Sequence, residues 1–450
     1  MNKYISIGKY NNNLKYLFLS SFFLLLTNFF FGIYFNNNFE ILQFFKTKTQ
    51  ETLFHNLLIH ELFRNIVILI SSLIIFQIQK LENSDSDNQL SFFFPIKLIY
   101  TNQKKTESKK NSPSYILFTI FLWIIQRFLM DMFYLCGLRD LDYWMLELIF
   151  VSNLYSEYHK AKTYKHQKFG IYFNTIVCGI MKMTSFLISF IGEKNKENLA
   201  YKEYKWLIPV GIISYLIIML LRAYVNCSLC WIMEIKYLSP ARLLVIYGML
   251  GTLFYLVICT IFTFISYKPD KEKGEFIFHV TKDNETFYFD NFEIYYKILK
   301  NDTSIVHYTN KAKEVIFEIL VNIFGTITNF WNIWFYVLVI KYLTPIHIIF
   351  SNSFYYFVLQ IIFLFYINDI KENKKSKVTK HIIDIFEDLF SLFGYLVYLE
   401  LIELNFKGLN YNLRIKINER SQIDSQLTLL ENIINDNNDN TEDKNKQNSI

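Results

Sequence analysis

The chain has 450 residues, 52% of them hydrophobic and 19% aromatic, and a formal net charge of +6. Its apolar residues gather into runs of about twenty, the length that crosses hydrocarbon, which excludes a soluble enzyme with polar segments spread along its length. The positive charge does not imply nucleic-acid binding, because Lys104, Lys105, Lys109, Lys110 and Lys160, Lys162, Lys165, Lys168 sit in short loops between apolar runs, as cytoplasmic lysines of membrane proteins do.

In chain order, residues 1–14 read as a cytoplasmic segment, followed by ten spans at about 15–36, 54–79, 114–137, 141–158, 168–192, 206–233, 239–266, 315–340, 344–367 and 381–404. The run from Tyr16 to Tyr34 is too long for the apolar part of a signal peptide and lacks a small-residue cleavage site, so it reads as the first span. Residues 81–111 are polar and predict an exposed loop. The long connection 268–313 alternates aromatic and polar residues (Phe276 to Val280, Phe287 to Phe289), which predicts a small β-hairpin or a loop on the membrane surface. It carries two glycosylation acceptors, Asn284-Glu285-Thr286 and Asn301-Asp302-Thr303, whose use would place it on the luminal or extracellular side. The acidic, Asn-rich tail 418–450 is expected to be disordered. All five cysteines fall in apolar runs; Cys227 and Cys230 form a C-x-x-C with no second pair or histidine cluster, so they read as packing residues and no metal is expected.

With both termini cytoplasmic, the basic loops after spans two and four obey the positive-inside bias, and the loop bearing Lys371, Lys374, Lys375, Lys377 and Lys380 does not. An internal repeat accounts for this. The fourth span leads through the basic hinge His159–Lys168 into a span with Gly170 and Gly179; the ninth leads through Lys371–Lys377 into a span with Gly394. These units lie five spans apart, and an odd number inverts the second copy in the membrane. The expected fold is therefore all-α, a polytopic membrane protein of about ten transmembrane helices in two inverted five-helix repeats, 15–192 and 206–405.

Three stretches carry a resemblance to a known family. Asp142 to Phe150, the basic hinge, then Gln167-Lys168-Phe169-Gly170-Ile171 looks like the fourth span, hinge and fifth-span start of the drug/metabolite transporter superfamily, in particular its nucleotide-sugar-transporter-like solute carriers. Tyr237-Leu238-Ser239-Pro240-Ala241-Arg242, followed by Tyr247-Gly248-Met249-Leu250-Gly251, is similar to that family's sixth-to-seventh junction, and Leu343-Thr344-Pro345 opens the ninth span as there. The likeness covers roughly residues 15–405. It implies a multi-pass solute carrier without a cofactor; the uncleaved first span and the two glycosylation acceptors point to an endomembrane, Golgi or ER, with the plasma membrane as the alternative. Its partners would be the bilayer, a small-molecule substrate and, as an oligomer, a second copy in a homodimer.

Ionisable groups in hydrocarbon cost about 2.5–3.5 kcal/mol each and usually face a partner or a cavity. Span three carries Arg127 and Asp131 one turn apart, a self-neutralising pair or part of a site. Glu147 lies in span four; Asn174, Cys178 and Lys182 form a stripe in span five, and Arg222, Asn226 and Cys230 one in span six. Span eight adds Gly325, Asn329 and Asn332. Converging, these would set Arg127, Lys182 and Arg222 against Asp131 and Glu147, a positive site suited to an anionic, phosphate-bearing solute. The candidate substrate-binding residues are thus Arg127, Asp131, Glu147, Lys182, Arg222, Asn226, Asn329 and Asn332. The histidines are scattered, with no phosphate loop and no G-x-S-x-G nucleophile, so an enzyme is not expected. The alternatives are a membrane-embedded lipid- or sugar-transferring enzyme acting near Arg139, Asp140 and Asp142, and a non-transporting membrane scaffold.

Overall fold

The structure is a computed structural model that describes residues 5–7, 13–35, 57–82, 113–135, 144–159, 165–181, 184, 207–235, 238–264, 279–282, 285–288, 311–349, 357–358, 361, 374–413 and 416–428. Helices dominate: α1 (Leu14–Phe35), α2 (Leu57–Glu82), α3 (Pro113–Leu135), α4 (Trp144–His159), α5 (Lys165–Phe173, continued by a π turn, Asn174–Cys178), α6 (Leu207–Ile235), α7 (Pro240–Phe264), α8 (Lys311–Tyr342), α9 (345–349) and α10 (Lys374–Tyr398). Four of them, in α2, α6, α7 and α8, are long and apolar enough to cross a membrane, and Leu14–Thr27 and Ser114–Met130 are shorter apolar stretches. This much of the ten-span expectation is present among the described residues. The chain has the build of a helical membrane protein.

The arrangement of polarity says the same. Ile70, Ile74 and Ile78 of α2, Ile213 and Ile217 of α6, Leu253 and Val257 of α7, and Ile323, Phe324 and Ile327 of α8 all point outward, while Glu61, Arg64, Asn65, Glu147 and Asn226 are buried. Water would reverse that pattern; lipid requires it. Ser21, Thr27, Thr119, Thr175, Thr252, Thr260 and Thr263 each donate to the carbonyl four residues back, so these hydroxyls are satisfied within their own helices.

Local chemistry sets the breaks. Ser239 caps α7, its Oγ accepting from Arg242 N–H at 3.3 Å, and Pro240 takes the first helical position, where its missing N–H costs nothing. At the α8–α9 break, Thr344 Oγ1 lies 2.6 Å from His347 Nδ1, and Pro345 opens the next turn.

Two seams rely on glycine. A Cβ on Gly248 would stand 2.7 Å from the Leu69 backbone nitrogen, and one on Gly170 would stand 2.5 Å from the Gly394 carbonyl oxygen. The α2–α7 and α5–α10 pairs therefore approach with backbone against backbone. Across the second seam Asn174 Nδ2 donates to Ser391 O at 3.1 Å and Cys178 Sγ to Glu387 O at 3.7 Å. By contrast α1 and α8 join through stacked rings, Tyr16 on Tyr342 and Phe23 on Trp331 and Phe335.

The end of the tenth span differs from the expected 381–404. The helix begins earlier, within the basic hinge at Lys374, and stops at Tyr398. Leu401 N–H bonds back to Leu396 O and Glu400 N–H to Val397 O, with Glu400 at φ 58°, which is a Schellman stop without its usual glycine. The chain then forms strand β4 (Ile402–Leu404), antiparallel to β1 (Ile5–Ile7) with Ser6 opposite Glu403. A hairpin, β2 (His279–Lys282) with β3 (Glu285–Tyr288), occupies the long connection as one of its two expected forms. Asn284 and Asn301 lie outside the described residues. Residues 416–428, expected to be disordered from 418 onward, form an exposed helix, α11, because the stretch holds no Gly or Pro and Arg420 anchors it over the Tyr411 ring at 3.7 Å.

Gly248→Leu should cost about 1–3 kcal/mol through forced separation of α2 and α7, read as a lower unfolding midpoint in detergent; an unchanged midpoint would mean that the seam has room. A second expectation concerns His166, at the start of α5 and outside the apolar spans, whose Nε2 accepts from Leu404 N–H at 3.1 Å. Burial lowers its pKa below the ordinary 6.5, with Glu403 pulling weakly the other way. The unfolded imidazole takes its proton first, so this group's contribution is complete above 6.5 and is lost as pH falls below it. Hydrogen-exchange protection of the Leu404 amide should drop between about pH 7 and about pH 5; equal protection at both ends counts against this role.

Candidate functional site

The polar centre is built from two charge clusters. In the first, Glu147, one turn into α4, accepts from two residues a turn apart on α6: Arg222 Nε at 3.1 Å and Asn226 Nδ2 at 3.4 Å. The Asn226 carbonyl oxygen in turn takes a short hydrogen bond from the Tyr336 hydroxyl of α8. Glu147 is 1% exposed and Asn226 0%. Three helices are thus linked, α4 to α6 through the Glu147 carboxylate and α6 to α8 through Asn226.

In the second cluster, Glu61 of α2 receives Arg64 Nη1 at 2.5 Å and Arg127 Nη2 of α3 at 3.2 Å on the same oxygen, Oε1. Glu61 is 2% exposed and Arg64 4%. The Tyr247 side chain of α7 lies beside this cluster, and Asn65 Nδ2 donates to Glu61 O at 2.7 Å. A carboxylate at such depth is tolerable only because two guanidinium groups supply the hydrogen bonds that lipid cannot.

Aromatic rings join the clusters. Trp123 of α3 lies 4.2 Å from Tyr247 and 6.0 Å from Tyr336, ring centre to ring centre. The tyrosine on one side belongs to the Glu61 cluster and that on the other to the Glu147 cluster. Six helices, α2, α3, α4, α6, α7 and α8, therefore contribute to one connected polar and aromatic centre.

Of the sequence-derived candidates, Glu147, Arg222 and Asn226 come together directly. Arg127 joins the centre through Glu61, a partner on another helix, and the Asp131 side chain and Lys182 lie outside the described residues. Asn329 and Asn332 share the face of α8 that bears Tyr336, at steps of seven and four residues. Asn329 is buried, and its Nδ2 has no hydrogen-bond partner among the described residues. The span-five stripe faces elsewhere: Asn174 and Cys178 bond α10 rather than the centre. Arg139, Asp140 and Asp142 are outside the described residues.

Sequence reasoning missed Glu61, Arg64, Asn65, Trp123, Tyr247 and Tyr336. The first three were detectable by the rule that singled out Arg127, since they interrupt the apolar run 54–79 at spacings of three and four. The tyrosines carry no such signal in a chain with 32 of them. The buried cysteines match their expected packing role in part: Cys227 Sγ donates to Val151 O at 3.8 Å. No known protein family and no curated protein matches this chain.

Glu147→Gln and Arg222→Gln should each destabilise the protein by about 3–5 kcal/mol, since each removes one charge of a buried ion pair, whereas the double variant should recover most of the loss. Unfolding in detergent measures it, and strictly additive losses would disprove the pairing.

Proposed function

We propose that this protein is a secondary transporter of the drug/metabolite transporter superfamily, carrying a small anionic solute of the nucleotide-sugar kind across an endomembrane by alternating access. The observation that carries this reading is the composition of the polar centre. It draws α2, α3 and α4 from the first half of the chain and α6, α7 and α8 from the second, and sets Arg64, Arg127 and Arg222 against Glu61 and Glu147 among the described residues. A positive excess, at depth, between two halves is what an anion carrier requires.

Packing supports two inverted five-helix repeats. Such a pair predicts that exchanging each helix for the one five positions along maps contacts onto contacts, which among the described residues the main seams obey and α6–α8, whose image is α1–α3, does not. Under that exchange α1–α8 becomes α6–α3, and α2–α8 becomes α7–α3; all four pairs pack. The pairs α2–α7 and α5–α10 map onto themselves, as pairs astride a twofold axis must, and both pack closely. The contact of α4 with the π turn of α5 becomes α9 with α10, where His347 and Tyr398 rings lie 5.2 Å apart. The partner of α4–α6 is α9–α1, and α9 is described only over 345–349.

The mechanism follows from competition. Arg222 Nε is held on Glu147 Oε1 at 3.1 Å, and a phosphate can engage the guanidinium in a bidentate fork. Solute binding transfers Arg222 from carboxylate to phosphate and loosens the α4–α6 tie, so the ion pair is a barrier to movement that the substrate lifts. Asn329 Nδ2 is a buried donor that a solute oxygen can satisfy, relieving a cost of about 1–3 kcal/mol.

The test is uptake by liposomes containing the full chain, with nucleotide sugars and sugar phosphates against neutral sugars. Anionic solutes should enter, and Arg222→Lys, which keeps the charge but loses the fork, should lower uptake by about 10-fold or more. Uptake no greater than into empty liposomes, or preference for neutral sugars, removes the proposal.

A further inference from the structure

Outside the central site, three side chains of metal-binding type converge where α4 and α6 end. His159 is the last residue of α4, and Cys230 and Glu234 lie one turn apart near the end of α6. Their ligand atoms, an imidazole nitrogen, a thiol sulfur and a carboxylate oxygen, all fall within 4.8 Å of one another. His159 Nδ1 stands 3.1 Å from Glu234 Oε2, with the Cys230 thiol beside them. The Tyr155 ring, 4.5 Å from that of His159, fixes the imidazole plane. Cys230 is buried, His159 nearly so, and Glu234 is open to solvent.

From this geometry we infer that His159, Cys230 and Glu234 form a zinc-binding site that ties α4 to α6 at one membrane face. The donor set is mixed nitrogen, sulfur and oxygen, which suits a borderline cation such as zinc and neither calcium nor magnesium. Tetrahedral zinc holds such donors about 3.3–3.6 Å apart. Reaching that from the observed spread takes about 1 Å of movement, which the exposed Glu234 side chain supplies. Three protein ligands leave a fourth position on the solvent side for water. The Cys230 proton leaves to solvent as the thiolate binds the metal, so affinity rises with pH.

The helix register makes the site more than a chance meeting. Glu147 and His159 lie twelve residues apart on α4, and Arg222 and Glu234 lie twelve apart on α6. The two helices run in parallel register, with Cys227 Sγ on Val151 O between the pairs. The metal ligands thus repeat, about 18 Å along the helices, the cross-tie that Glu147 and Arg222 make at the centre. A zinc ion there fastens the first half of the chain to the second. Its effect on transport, slowing of the rocking motion, rests on the carrier reading above; its binding does not.

Two measurements test this on the full chain in detergent and in liposomes. Cobalt, used in place of zinc, should give an intense thiolate-to-metal absorption band and bind at one ion per chain. Cys230→Ser should abolish the band and Cys227→Ser should leave it. Glu234→Gln, at an exposed position that leaves the fold intact, should weaken binding by at least about 10-fold. No band in the wild type, or a band that survives Cys230→Ser, overturns the site. Micromolar zinc should then inhibit uptake by the wild type and not by Glu234→Gln. Cobalt binding without any measurable uptake would retain the metal site and reject the carrier; inhibition equal in both proteins would reject the metal tie.

Discussion

A charge placed in hydrocarbon has no water to hydrate it, so the protein must supply a charged or hydrogen-bonding partner in its place. That requirement governs this structure. Glu61 and Glu147 are each nearly inaccessible, and each is met by arginine from its own or a neighbouring helix. Once these pairs exist, the rotation of α2, α3, α4 and α6 about their own axes is fixed. Turning any of them would carry a charge towards the outward rows of isoleucine and leucine.

Charge fixes rotation, but small residues fix distance. Gly248 and Gly251 let α7 lie against Leu69 and Asn65 of α2, and Gly170 and Gly394 do the same for α5 and α10. In lipid there is little hydrophobic gain from bringing helices together, so close backbone approach and its dispersion contacts take over. The α1–α8 contact is of another kind, rings stacked at 5.2 to 6.1 Å. Seams of the first kind resist sliding because any shift brings backbone into backbone. Ring stacks tolerate it. If the two halves rock, the glycine seams are the hinges about which they turn and the aromatic contact is where sliding is cheapest.

The α4–α6 pair connects these features to the proposed carrier function. From Glu147–Arg222 at the centre to His159–Glu234 at the helix ends, the two helices hold one register. A change in the charge state or ligation at either tie acts on the same rigid pair. Substrate at the central arginine and a cation at the outer carboxylate would therefore bias a single element, and their effects would be coupled.

The sequence by itself determined that the chain is helical, that its long apolar helices suit a bilayer, and that Glu147, Arg222 and Asn226 are polar groups within apolar runs that need partners. These follow from run length and from the cost of burying polar groups, which are local properties. It also marked Gly170 and Gly394 as corresponding positions; that they pack against each other is a fact of the fold. Tertiary structure alone decided that Arg127 meets Glu61 of another helix, and that Asn174 and Cys178 serve the α10 seam. It alone set His159 and Glu234 beside Cys230, which a search for C-x-x-C partners along the chain passes over. The helix stop at Glu400 was equally hidden, because its signal is a positive φ on a residue that is not glycine. Helical periodicity says which residues share a face, but which face meets which neighbour is settled by how all the helices satisfy their buried charges at once.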